Sequence, residues 1–484
     1  MNQLQLFLPC AAGVETLLAT EVQRITGIQG KAWRAGVQLQ ASWRDALQLN
    51  LHSRLAQRVL IELQHSQYRS EQDLYNAAGN VAWEIWFTPR QTFKVEITAQ
   101  HSPLTSLNFA ALKIKDAIAD RFRSKFDVRP DVDTRWPDVR VYVHLTTDTV
   151  TVYIDTSGEP LFKRGWREDK GDAPLKETLA AAMIAASGWD QLCKEGVPLY
   201  DPCCGSGTIA IEAAQIACSI APGINRRFAF QKYLPFQEHV WGGLLDQAEA
   251  AITEPTAPVF GSDVSFRMVD FAERNAERAG VANAVQLRGG DALQRMPPAP
   301  SGVMLVNPPY GERIDVAGVA GITGVQGRDQ RRQQGNQGQQ EHRVQQDHRN
   351  QPIDEFGQPL SRDTRDHHDT RDTREEPAFD TPRDRSANPG REQATNAWGE
   401  EASDFFPQLA AHWKKNYAGW TAHVLTPDLK LPGKMRLKES RRVPMWNGPI
   451  ECRLFRFDMV AGSARGKPAA PEATGKPGEA RGDG

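Results

Sequence analysis

Residues 198–214 read PLYDPCCGSGTIAIEAA: an apolar run, an aspartate, a turn with two glycines, and an apolar stretch at helical spacing. That order predicts strand, turn and helix, with the strand ending at Asp201 and the helix opening at about Thr208. Gly205 and Gly207 let the backbone come close to a ligand lying across the strand's carboxyl end, where open α/β sheets bind small molecules. The spacing is not G-x-G-x-x-G and no phosphate-loop lysine follows, so a dinucleotide or nucleoside triphosphate is not the expected occupant. Working outward, a helical LKETLAAAMIAASGW (175–189) precedes the turn. APVFGSD (257–263), FRMVDFAERNAERAG (266–280), VQLRGGD (285–291) and GVMLVNPPY (302–310) follow as strand, helix, strand and strand. This alternation predicts a parallel, doubly wound sheet.

The strand ends carry the chemistry. Asp263 stands where an acidic side chain accepts from a ribose diol, and Asp291 where one accepts from an adenine amine. Singly, each reads better as a helix N-cap. Together with Asp201 and Asn307 at neighbouring tips they fit one adenosine-bearing ligand. Asp263 follows the glycine turn by nearly sixty residues instead of the usual ~20, so APGINRRFAFQKYLPFQEHVWGGLLDQAEAAI (221–252) is read as an inserted helical excursion. In LVNPPYG (305–311), paired prolines halt the strand's hydrogen-bond ladder at Asn307. Polar groups left at such an end are solvated or hold a ligand; a proline-rich turn capped by Tyr310 is the alternative.

With 484 residues, 40% hydrophobic and 24% charged, the chain can bury two or three cores. A formal charge of -2 averages over domains and does not exclude a polyanionic partner. There is no run of about 18 apolar residues, and the amino end has no basic stretch before its short apolar patch, so neither membrane span nor secretion signal is expected. A cytoplasmic protein is the expectation. Six scattered cysteines without repeated CxxC spacing support neither a disulfide framework nor a metal site. Residues 1–165 alternate short strands with amphipathic helices, an α+β pattern, and 166–315 with 399–462 form the doubly wound domain. Between them, 316–398 is rich in Gln, Arg, Asp, Gly and His and is read as a disordered polar insertion, with His367 and His368 solvated; 463–484 is read as a disordered tail.

DPCCGSGT (201–208) resembles the first motif of class I S-adenosylmethionine (SAM) methyltransferases, and NPPYGER (307–313) resembles the motif of those that methylate amino groups on planar rings or amides. The amino block, ending in IDTSGEPLFKRGWREDKGDAPLKETLAAAMI (154–184), is similar to the ferredoxin-like and THUMP-containing half of RNA methyltransferases. With APGINRRFAFQ (221–231) and RLKESRRVPMWNGPIECRLFRFDM (436–459), the chain most resembles bacterial guanine-N2 methyltransferases of 23S ribosomal RNA, over about 1–315 and 400–460. The resemblance implies a ferredoxin-like and THUMP region followed by a Rossmann-like methyltransferase domain. It implies SAM held by Asp201, Cys203, Gly205, Ser206, Gly207, Thr208, Asp263, Asp291 and Asn307, and catalysis by Asn307, Pro308, Pro309 and Tyr310, without a metal. The Asn307 side-chain oxygen and the Pro308 carbonyl would accept the amine hydrogens while Tyr310 stacks on a flipped base. Some members carry a second methyltransferase domain; here a short polar tail follows the first, so one activity is expected. The long insertion is not a feature of the family.

The implied partner is 23S rRNA or a large-subunit precursor, bound by a monomer. Basic side chains to neutralise phosphates occur as Arg121, Arg123, Lys125 and Arg129 near one helix end, as Lys163, Arg164 and Arg167 at the domain junction, and as Lys430, Lys434, Arg436, Lys438, Arg441 and Arg442 near the carboxyl end. Solvated basic faces are the alternative for each cluster. Other functional readings are a tRNA guanine-N2, adenine-N6 or glutamine-amide methyltransferase, and a non-catalytic RNA-binding or ribosome assembly factor. A Cys203 or Cys204 nucleophile is disfavoured because both lie within the glycine turn.

Overall fold

A computed structural model describes residues 3–171, 174–308 and 402–460. The stretches read as disordered, 316–398 and 463–484, lie outside the described residues, as do Pro309 and Tyr310.

The amino-terminal part is built on one sheet of β1 (Leu4–Pro9), β2 (Lys31–Trp33), β3 (Gly36–Ala41), β4 (Leu60–Gln67), β5 (Phe93–Ala99), β6 (Val139–Leu145) and β7 (Thr149–Asp155). Their order is β2-β3-β1-β4-β7-β6-β5, antiparallel throughout except for β5 beside β6. The β-branched runs VRVYVHL and TVTVYID fit a sheet covered on both faces, and nearly every residue of β7 is buried. The helix Trp43–His52 opens on a capping box, in which the Ser42 hydroxyl accepts from the Asp45 amide and the Asp45 carboxylate accepts from the Ser42 amide.

The second sheet contains β8 (Leu199–Asp201), β9 (Val259–Asp263), β10 (Val285–Gly289), β11 (Gly302–Val306), β12 (Trp420–Thr426), β13 (Arg441–Asn447) and β14 (Ile450–Asp458), in the order β10-β9-β8-β11-β12-β14-β13. The first five in that order run parallel, and the β13–β14 hairpin adds two antiparallel strands. The strand β11 is buried along its whole length, as a central strand covered on both faces must be. Strand order reverses direction between β8 and β11, which opens a crevice at their carboxyl ends. The hairpin occupies the segment that reads as a basic run. Charges at Arg441, Arg442, Arg453 and Arg456 mask its alternation, because β13 buries only Met445 fully.

Among the contacts that join the two sheets within the described residues, three stand out. The excursion at 221–252 contains the helix Glu238–Ala250 and lies against the amino-terminal unit: Leu234 donates its amide to the Trp86 carbonyl at 2.9 Å, and Arg226 donates to the carbonyls of Pro160 (2.9 Å) and Glu159 (2.8 Å). Phe230 meets Trp43 and Trp241 edge-on, with centroids 6.5 and 5.0 Å away. Second, Glu212, fully buried on the helix Thr208–Ala217, accepts from Arg164 Nε and Arg54 Nη1, both at 3.0 Å. The two guanidiniums hold the Glu212 carboxyl below its usual range despite its burial. Third, Gly13 packs against β13 so closely that a Cβ there would stand 2.2 Å from the Pro444 carbonyl oxygen. Among the described residues no helix is long and apolar enough to cross a membrane.

Candidate functional site

The glycine turn is stitched to its neighbour strand. The Cys204 amide donates to the Ser262 carbonyl and the Gly205 amide to Asp263 Oδ2, each at 2.9 Å, while Asp263 Oδ1 accepts from the Ser265 amide at 2.9 Å. Gly205 (φ +53°) and Gly207 (φ +89°) both occupy left-handed backbone but serve different ends. A Cβ on Gly205 would have nothing within 4 Å, so that face of the turn is open. One on Gly207 would stand 2.9 Å from Ala272 Cβ, so its absence lets the helix Phe266–Arg278 pack beneath the turn.

Asp201 is 1% exposed and its Oδ1 accepts the Cys203 amide at 3.1 Å. Burial, with the negative charge of Asp263 adding to it, pushes its carboxyl up to about 8. The thiols of Cys203 and Cys204 are pushed well up by burial and by the carboxylates of Asp201 and Asp263. A thiolate nucleophile is thereby disfavoured. At the next tip, Asp291 Oδ1 accepts the Leu293 amide at 2.9 Å, so this residue does cap a turn.

The strand order β10-β9-β8-β11 lines up Asp291, Asp263, the glycine turn and Asn307 along one edge. Three inter-strand steps of about 4.8 Å make that row about 15 Å long. Two carboxylates at adjacent tips, an open glycine face and a polar strand end fit an adenosyl ligand laid along the edge. Phe266, 79% exposed, adds an aromatic ring that sequence reading missed: a Cβ on Gly289 would lie 2.5 Å from it, so the ring rests on bare backbone between the Asp263 and Asp291 tips. The available signal was an aromatic residue on the first helical turn after Asp263. Pro308 follows Asn307 at the end of β11 and is buried. Among the described residues no group of three or more His, Cys, Asp or Glu side chains is arranged to hold a metal.

Of the basic residues expected to meet RNA, Arg123, Lys163, Arg441 and Arg442 are on the surface. Lys163 is paired with Glu159 at 2.8 Å, an exposed contact of little strength. Three others are engaged within the protein. Arg121 donates to both Glu84 oxygens at 2.7 Å and to the Gly79 carbonyl, which engages its fork internally. Arg164 is 3% exposed and closed around Glu212. Arg167 turns inward to the glycine turn, reaching Ser206 Oγ at 3.1 Å and Thr208 Oγ1 at 2.8 Å. Charge spacing alone reveals neither the acidic partners nor the burial.

Three domains are matched in order along the chain: an RlmL ferredoxin-like domain at residues 5–60, a THUMP domain at 68–155, and an RMKL-like methyltransferase domain at 164–321. The fold and site are thus those of a methyltransferase domain carried behind a THUMP unit. The chain thus carries, in this order, an RlmL ferredoxin-like domain, a THUMP domain and an RMKL-like methyltransferase domain. It is similar to ribosomal RNA large subunit methyltransferase K/L of Psychromonas ingrahamii, 30% identical over 482 residues covering 98% of this chain and 53% of the relative. The protein of the same name from Shewanella sediminis is 41% identical over 316 residues, covering 64% of this chain and 44% of the relative. The chain spans about half the length of these curated relatives. Among solved structures, a possible methylase from Clostridium difficile 630 matches with TM-score 0.71 and 23% identity, covering 95% of this chain and 99% of that one. SMU.472, described as a methyltransferase and solved with SAH, matches with TM-score 0.70 and 23% identity over 95% and 98%. Both likenesses concern the fold.

Proposed function

We propose that the protein transfers a methyl group from SAM to the exocyclic N2 of one guanosine in 23S rRNA, working as a cytoplasmic monomer on the rRNA or a large-subunit precursor. The observation that carries this reading is the row of strand tips: Asp291, Asp263, the glycine turn and Asn307 follow one another along one edge, an order that would suit adenine, ribose, the amino-acid portion and the methyl acceptor in turn. The THUMP domain and the names of the relatives support an RNA substrate.

Asp291 would accept from the adenine amine, Phe266 would stack on the ring, and Asp263 would accept from the ribose diol. SAM supplies a methyl group activated by its sulfonium. The guanine N2 lone pair is delocalised into the ring, so the chain must orient it. The Asn307 side-chain oxygen and the Pro308 carbonyl would accept the two amine hydrogens, aim the lone pair, and face the positive charge that grows on nitrogen during transfer. No strong base is needed before attack. The target base must leave its stack to reach the end of β11. Arg123, Lys163, Arg441 and Arg442 would meet phosphates, so binding weakens steeply with salt.

Nucleoside mass spectrometry of rRNA and tRNA from a deletion strain tests the proposal. Loss of N2-methylguanosine from one site in 23S rRNA is expected. Loss from tRNA with rRNA unaltered, or loss of a methyladenosine, would replace the substrate; intact marks with no SAM affinity would favour a non-catalytic RNA-binding factor.

A further inference from the structure

We infer that Arg167 is a positioning residue for the cofactor turn: from the segment joining the two sheets, it fixes the glycine turn by holding Ser206 and Thr208 on either side of Gly207. This rests on the proposed SAM site. The guanidinium, in a side chain only 11% exposed, donates Nε to Glu177 Oε1 at 2.7 Å, Nη1 to Ser206 Oγ at 3.1 Å, and Nη2 to Thr208 Oγ1 at 2.8 Å and the Leu175 carbonyl at 3.2 Å. Four acceptors on two segments, 175–177 and 206–208, are therefore held by one planar fork, which a lysine ammonium cannot reproduce.

The effect is geometric more than electrostatic, because the buried Glu177 carboxylate balances the arginine's charge locally. A hydroxyl has one proton and two acceptor sites. When Ser206 and Thr208 each accept from Arg167, each hydroxyl proton is left to point elsewhere, so the fork fixes the direction of both donors as well as the backbone between them. The same segment is tied to the turn from the other side: Asn275 Nδ2 donates to the carbonyls of Asp169 (2.8 Å) and Ser206 (3.1 Å), and Arg278 Nη2 donates to Asp169 Oδ2 at 2.6 Å. The shape of the cofactor turn thus depends on residues 167–169, which lie outside the turn in sequence.

The test uses the full chain and its Arg167→Met and Arg167→Lys variants, with SAM affinity by calorimetry, rRNA affinity by filter binding, thermal midpoints, and KM and kcat. We expect Arg167→Met to raise Kd and KM for SAM at least about tenfold, with kcat at saturating SAM and RNA affinity each within about threefold, and Arg167→Lys to fall between. Because Arg167→Met leaves Glu177 buried without its partner, Arg167→Met/Glu177→Gln is included; the weak SAM binding persists in it if positioning is the cause. Wild-type SAM affinity in Arg167→Met, its recovery in the double variant, or a loss confined to RNA affinity would each overturn the inference. Absence of SAM affinity in the wild-type chain would instead remove the proposed function beneath it.

Discussion

Asp263→Ala is the sharpest probe of the site, because the geometry fixes what the carboxylate still has to offer. A carboxylate has about four lone-pair sites, and Asp263 uses two, one on each oxygen, for the amides of Gly205 and Ser265 at 2.9 Å. Two remain, matching the two hydroxyls of a ribose. Each hydrogen bond to a charged acceptor is worth about 1.5–3 kcal/mol net, so losing both should weaken SAM by at least about 3 kcal/mol, or at least about 150-fold in Kd. Asp263→Asn keeps one acceptor oxygen but turns amide hydrogens toward a backbone N–H; about tenfold is expected. Calorimetry with SAM reads the effect. A SAM analogue lacking the ribose hydroxyls separates ligand contact from collapse of the turn: it should bind the wild type weakly and bind Asp263→Ala no worse than SAM does. Kd for SAM within threefold of wild type in Asp263→Ala would refute the assignment, as would an analogue that loses as much affinity in the variant as in the wild type.

Asn307→Ala should leave SAM affinity nearly intact and slow methyl transfer at least about a hundredfold, since the lost acceptor orients the amine only in the transition state; single-turnover rates check it. Asp201 makes stability fall with pH. Its folded carboxyl lies near 8, above the ordinary 3.8, so the native state holds the proton more tightly and the advantage present below about pH 4 is lost as pH rises toward 8. The slope is about 1.4 kcal/mol per pH unit, and Asp201→Asn should remove it in denaturant titrations at pH 5 and 7. Glu212→Gln should destabilise the fold by about 3–5 kcal/mol, because the buried guanidiniums of Arg54 and Arg164 then lack a counter-charge; equal unfolding midpoints would contradict this. Replacing 316–398 by a short flexible linker should preserve soluble protein and SAM affinity, because the sequence of that tract has few aliphatic residues to add to a core.

The sequence disclosed those parts of the fold whose patterns are local. PLYDPCCGSGT reads as strand and turn because its glycines and the helical spacing after them are contiguous, and the tips at Asp263 and Asp291 follow from strands ending in polar residues. The excursion at 221–252 was legible as an inserted helical stretch; that it clasps the amino-terminal unit depends on pairings such as Leu234 with Trp86, far apart in sequence. The internal partners of the basic residues were the least legible. Arg121, Arg164 and Arg167 differ from Arg123 only in having carboxylates or hydroxyls brought to them by tertiary packing. Phe266 went unread because a phenylalanine opening an amphipathic helix ordinarily points into the core, whereas here the backbone of Gly289 gives its ring a place at the surface.

The close approach of Gly13 to Pro444 bears on how the protein avoids sticking to copies of itself. The strand β13 is the outermost of its sheet, and an outermost strand offers a row of backbone groups to any other chain. Pro444 removes one donor from that row, Arg441 and Arg442 surround it with charge, and the turn around Gly13 covers its middle. Removing residues 1–163 would uncover this rim, so a fragment beginning at 164 should aggregate through β13 even with its proposed SAM site whole.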